Sequence, residues 1–146
     1  MEFIEDFEYD YLDECTNLYI SAFNREPWND KWDFNTANKR LRDIYKAPSF
    51  KGLVFKKDDK IVGVIMGNYE QWYKGLHYNI KEFFIDVNNQ KSGIGSKMLS
   101  YLERYLKERN VNTIHLYTAK GYKTEGFYSR NGYEIPNTIT MMTKEI

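Results

Sequence analysis

Gln90-Lys91-Ser92-Gly93-Ile94-Gly95 stands between an apolar run, Ile80 to Val87, and a segment of helical periodicity that continues to about Arg109. The run reads as a strand. The following segment gathers Ile94, Met98, Leu99, Leu102, Tyr105 and Leu106 on one stripe, with Lys97, Glu103, Arg104 and Lys107 elsewhere. A glycine turn at a helix start leaves backbone N–H groups without helical partners, at the positive end of the helix dipole. Glycine keeps side chains away, so a phosphate can approach those amides. Gln90 to Gly95 is therefore a candidate pyrophosphate cradle. A dinucleotide fingerprint requires a third glycine where Met98 stands. A P-loop requires Gly, four residues and Gly-Lys-Ser/Thr, which Gly95-Ser96-Lys97 does not supply. Taken alone, the turn is equally readable as an ordinary strand–turn–helix connection.

The chain has 146 residues, enough for one domain over residues 1–146 with one core and a cleft. Its 21 basic and 21 acidic residues balance, which argues against bulk electrostatic binding to nucleic acid or to an anionic membrane. The single cysteine, Cys15, cannot form an internal disulfide and reads as a buried thiol. The two histidines, His77 and His115, lack metal-ligand spacing, so no metal is expected. No apolar run is long enough to span a bilayer and the N-terminus does not read as a signal peptide, so a cytoplasmic location is expected.

Around the glycine turn the pattern resolves into further elements. Phe3 to Phe7 reads as a short strand. Tyr11 to Phe23 carries Leu12, Cys15, Leu18, Tyr19 and Ala22 at helical spacing. Arg25 to Asp30 is a loop holding Pro27, and Asn35 or Thr36 is placed to cap a second helix bearing Ala37, Leu41, Ile44 and Tyr45. Gly52 to Lys56, Ile61 to Trp72 and His77 to Val87 read as three strands of an antiparallel meander. Thr113 to Thr118 is a strand, Thr124 to Arg130 a short helix, and 133–144 a closing strand or hairpin broken near Pro136. The order β-α-α-β-β-β-α-β-α-β implies an α+β fold with a mixed, mostly antiparallel sheet flanked by helices.

Gln-x-x-Gly-x-Gly directly after a strand resembles the acetyl-CoA-binding motif of the GNAT family of N-acetyltransferases. There the pattern is Arg or Gln, two residues, Gly, one residue, Gly or Ala. The element order is that family's, so the resemblance covers nearly the whole chain. Gly126-Phe127-Tyr128-Ser129-Arg130-Asn131-Gly132-Tyr133 looks like its other landmark, an aromatic–Tyr pair followed by a charged turn and Gly-Phe/Tyr. The resemblance implies that Tyr128 is the general acid for the departing thiolate, a task suited to a group of pKa near 10. From the residues alone, Phe127, Tyr128 and Tyr133 are equally core residues, and Gly132 a helix C-cap.

The same resemblance implies acetyl transfer from acetyl-CoA to an amine, with no metal. It places the backbone N–H of Phe83 at the acetyl carbonyl, where charge develops. It pairs Ile85 and Val87 with pantetheine, and sets Gln90, Lys91, Ser92, Gly93, Ile94, Gly95 and Ser96 at the pyrophosphate. The glutamate that some members use as base is matched here by Asn79, which cannot take a proton. Glu82 and Glu70 are the remaining candidates for the base. Where the family often carries an asparagine about seven residues before the tyrosine, this chain has Gly121.

In similar proteins the first two helices, their loop and the hairpin before the motif strand choose the acceptor. Here they hold Glu26, Trp28, Asp30, Trp32, Glu70 and Trp72. Acids among aromatics suit a cationic amine, through ion pairing and cation–π contact. In this respect the chain is broadly similar to aminoglycoside 6′-N-acetyltransferases and related small-amine enzymes. The competing reading of Trp28 and Trp32 is that they anchor the helix connection or a homodimer contact. Two other functions stay open at this point: a non-catalytic acetyl-CoA sensor or interaction module, and a protein or peptide N-acetyltransferase.

Overall fold

Three long alternating segments and two apolar helix stripes dictate a sheet with helices on both faces. The computed structural model describes all 146 residues. Its strands are β1 (Glu2–Asp6), β2 (Phe50–Lys57), β3 (Lys60–Trp72), β4 (Gly75–Ile85) and β5 (Val111–Leu116), lying in the order β1-β2-β3-β4-β5. The first four run antiparallel to their neighbours, whereas β5 lies parallel to β4.

Helices α1 (Leu12–Phe23) and α2 (Phe34–Lys46) cover one face. Cys15, Tyr19, Ala37 and Leu41 pack there against Val54, Val64, Met66 and Phe84. Burial raises the Cys15 thiol pKa far above its usual range, which leaves it inert. Helix α3 (Ile94–Lys107) and the short α4 (Glu125–Arg130) cover the other face. Ile94, Met98, Leu99, Leu102 and Leu106 meet Leu53, Phe55, Ile65, Tyr78 and Ile80 there, and Phe83, Phe127 and Tyr128 close the margin. Side chains alternate across a strand, so neighbours in β4 serve opposite faces: Phe84 belongs with α1, Phe83 with α3 and α4.

Three local expectations are corrected. Helix α2 is capped two or three residues earlier than expected. Asp33 is its cap: Oδ1 accepts from the Thr36 amide at 2.8 Å, while Thr36 Oγ1 accepts from the Asp33 amide at 3.2 Å. Strand β4 ends at Ile85, so Val87 opens a 3-10 turn, Val87–Asn89, rather than closing the strand. The closing strand over 133–144 does not form. Its Ile135, Ile139, Met141 and Met142 are exposed, and no strand of the sheet pairs with them. Alternation alone does not make a strand without a ladder to join, and Pro136 removes one of the N–H donors a ladder needs.

Candidate functional site

A gap opens in the sheet where β4 and β5 part. Their parallel pairing runs only from Leu76↔Val111 to Ile80↔Leu116. Beyond Ile80, β4 continues for five more residues with β3 on one side and no strand on the other. Backbone groups of Lys81–Ile85 that face the gap have no strand partner, the condition for donating to a ligand. A register shift in the β3–β4 ladder, between Met66/Gly67 and Glu82/Ile80, lies at the same level.

The turn that follows is fastened by side chains. Asp86 is buried, and its Oδ1 accepts from the Asn88 amide at 3.1 Å and its Oδ2 from Asn89 Nδ2 at 3.4 Å. Gln90 Nε2 donates to the Ile85 carbonyl at 3.2 Å, and Ser92 Oγ to the Asn89 carbonyl. Both polar side chains of the motif thus shape the turn. Gly93 caps α3 with φ 84°, the left-handed region that favours glycine. The first helical bond of α3 is Lys97 N–H to the Gly93 carbonyl, so the preceding amides, through Ser96, have no helical acceptor. Beyond its two chain neighbours, nothing lies within 4 Å of the place a Cβ would take on Gly93, so the turn is open there. Gly95 serves packing instead: a Cβ there would sit 3.1 Å from Phe127 Cζ. Lys91 is exposed, while Lys97 Nζ lies 3.9 Å from Glu2.

Tyr128 stands at the gap because α4 ends in a tight cap. The Gly132 amide bonds the Ser129 carbonyl and the Tyr133 amide the Tyr128 carbonyl, with Gly132 at φ 90°. The wrap brings the Tyr133 ring to 5.7 Å from Tyr128, and Tyr133 Oη then donates to Glu103 of α3 at 3.0 Å. Phe83 and Phe127 flank Tyr128 at 6.3 and 5.2 Å. Burial first, then the Glu82 charge, drives the Tyr128 pKa well above its ordinary value, and no hydrogen bond contributes. The hydroxyl stays protonated at neutral pH.

Glu82 approaches from the opposite face. Its Oε1 accepts from Tyr19 Oη at 3.1 Å and from Arg40 Nε at 3.0 Å, with the side chain only 11% exposed. Burial raises its pKa, opposed by the Arg40 charge and both hydrogen bonds, while Asp30 raises it further. Both contacts fall on one oxygen, which leaves Oε2 to accept a proton. The gap therefore has Tyr128 of α4 on one side of the sheet and Glu82, held by α1 and α2, on the other, near enough for the Glu82 charge to act on the hydroxyl.

The expected acceptor residues separate into two groups. Asp30 lies near enough to act on Glu82, and its Oδ2 accepts from Trp32 Nε1 at 3.1 Å. Trp28 packs on Phe23 at 5.3 Å and Trp32 on Tyr19 at 5.2 Å, so both rings anchor the loop to α1. Glu26 is exposed. Glu70 and Trp72 sit at the far end of β3, with His77, Asn79 and His115. Arg40, Tyr19 and Asp86 were not foreseen. Only Asp86, an aspartate between a strand and a glycine turn, carried a local signal. An open groove of about 710 Å³ lies elsewhere, between α3, β5 and the residues after α4.

Residues 12–133 match the model of the acetyltransferase (GNAT) family. No curated protein matches the chain. Among solved structures, a possible acetyltransferase from Clostridium difficile 630 superposes with a TM-score of 0.81 at 22% identity, over 100% of this chain and 98% of its own. A GNAT family acetyltransferase from Staphylococcus aureus gives 0.73 at 23% identity, over 99% and 98%. An aminoglycoside acetyltransferase from an uncultured soil metagenomic sample, in complex with sisomicin, gives 0.75 at 17% identity, over 99% and 96%. At these identities the likeness is one of fold.

Proposed function

Because the chain belongs to the acetyltransferase (GNAT) family, we propose that it moves an acetyl group from acetyl-CoA to a primary amine of a small, cationic acceptor. The observation that carries this reading is the meeting of Tyr128 and Glu82 at the gap between β4 and β5. The residues fit the donor. Open amides from Lys91 to Ser96 suit a pyrophosphate, with Gln90 and Ser92 holding the turn in shape. Unpaired backbone along β4 suits pantetheine, with Phe83 assigned to the acetyl oxygen and Ile85 to the amide chain, and Val87, in the turn just past the strand, to its outer end. Acetyl-CoA supplies an activated acyl group and a thiolate leaving group.

Glu82 is assigned the proton of the attacking ammonium, directly or through water, since a neutral amine is needed and a carboxylate of raised pKa accepts more readily. Tyr128 is assigned the proton for the departing sulfur. Asp30, and Glu26 at the rim, favour a cationic acceptor, with Trp28 and Trp32 fixing the loop that carries them. Aminoglycosides, named in two solved structures of this fold, belong to the same chemical class. The test is thiol release from acetyl-CoA with aminoglycosides, polyamines, amino acids and peptides, alongside CoA binding by calorimetry. Turnover of a small amine is the expected result. Tight CoA binding with no turnover would replace it with a sensor, and turnover of peptides alone with a protein N-acetyltransferase.

A further inference from the structure

Away from the gap, the sheet face beside α1 and α2 carries a second polar group. Glu70 Oε1 lies 3.3 Å from His115 Nε2 on β5, and Asn79 Nδ2 of β4 lies 3.5 Å from Glu70 Oε2. Both carboxylate oxygens are oriented, yet neither neighbour supplies a lasting positive charge. Burial lowers the His115 pKa, His77 and Lys81 lower it further, and Glu70 alone opposes them. Near neutral pH the imidazole is neutral, and a third of the Glu70 side chain is exposed (33%).

Trp72, two residues on and so on the same face of β3, stacks on His77 at 4.8 Å and 16° between planes. Trp72 as a whole remains 43% exposed. His77 is the cross-strand partner of Glu70, and its Nδ1 is buried without a hydrogen-bond partner. A carboxylate oriented by Asn79 and His115 with no lysine or arginine within 4 Å, beside an indole braced from behind, is the chemistry that holds an alkylammonium. Glu82 pairs across the ladder with Met66, and Glu70 lies four residues further along β3, roughly 13 Å at strand rise.

We infer that Glu70 and Trp72 hold a second ammonium group of the acceptor, so that the favoured substrates are dications with amines separated by about that span. This rests on the reading that an amine is acetylated between Tyr128 and Glu82. Glu70 then acts as an anchor rather than as a base, and Asn79 and His115 are its positioning residues.

The test measures thiol release with α,ω-diaminoalkanes from propanediamine to decanediamine, each against the monoamine of equal length. Diamines long enough to reach should show a KM about tenfold or more below their monoamines, the worth of one charge-assisted contact. Glu70→Gln should bring the two series together. In parallel, the imidazole resonances of His115 are followed by NMR in the CoA-bound protein. A long diamine should shift them and a monoamine should not. Equal KM values for both series in the parent protein, or His115 resonances unmoved by the diamine, would overturn the inference. If no amine is turned over and the diamine still shifts His115, the transfer reading falls and the Glu70 site stands.

Discussion

Tyr128→Phe isolates one oxygen atom from everything else the ring does. Tyr128 packs among Phe83, Phe127 and Tyr133, and phenylalanine keeps those contacts. No intramolecular hydrogen bond involves the hydroxyl. Its removal should therefore change stability by about 0.5 kcal/mol or less. Loss of a general acid typically costs a factor of about 10² to 10⁴, or roughly 2.7 kcal/mol of barrier at the lower figure. Tyr133→Phe is the control with the opposite signature. It breaks the bond to Glu103 at 3.0 Å, so stability should fall by about 1 kcal/mol while chemistry proceeds. The assay is continuous thiol capture at saturating acetyl-CoA, with urea unfolding of each variant and CoA affinity by calorimetry. Tyr128→Phe should lose kcat with CoA affinity and urea midpoint kept. A Tyr128→Phe enzyme of full activity would refute the assignment, as would an equal kcat loss in Tyr133→Phe.

Glu82 accepts a proton only when ionised, and burial raises its pKa above the usual carboxylate value. Activity should thus rise with pH through a midpoint above about 4.3. Glu82→Gln should abolish that limb, and Arg40→Ala, which removes the charge that lowers the pKa, should move it upward; a pH–rate profile unchanged in both variants would exclude Glu82 as the base. Gly93→Val places a branched side chain at φ 84° and over the open amides, so stability should fall by roughly 1–2 kcal/mol and CoA affinity far more. Calorimetry giving an unaltered CoA affinity would remove Gly93 from the cradle. Asp33→Ala deletes the capping box of α2 and should cost about 1 kcal/mol in urea unfolding; an unmoved midpoint would show the cap to be idle.

What could be read from the chain alone follows the range of the interactions involved. The apolar stripe of α3 and the glycine turn depend on neighbours within a few residues, and both lie where the pattern put them. The expected closing strand failed for a related reason: Ile139 and Thr140 favour extended backbone, but a strand is completed by a partner that no local pattern guarantees. The parting of β4 and β5 is likewise not written in either strand. It follows from where a parallel ladder stops, at Ile80 and Leu116, which lie 36 positions apart in the chain.

The chemistry of Glu82 shows the same limit more sharply. A glutamate in an alternating strand reads as solvent-facing, and nothing nearby in sequence marks it otherwise. Its environment is assembled by Tyr19, Arg40 and Asp30 from α1, α2 and their loop. Those residues lie on the elements expected to choose the acceptor. A substitution there made to alter acceptor preference will therefore also alter the proton affinity of Glu82, the proposed base. Arg40→Ala separates the two effects. If Arg40 acts on Glu82 alone, the acid limb moves for every amine by the same amount; if it also meets the acceptor, KM changes unequally across amines at a pH well above that limb.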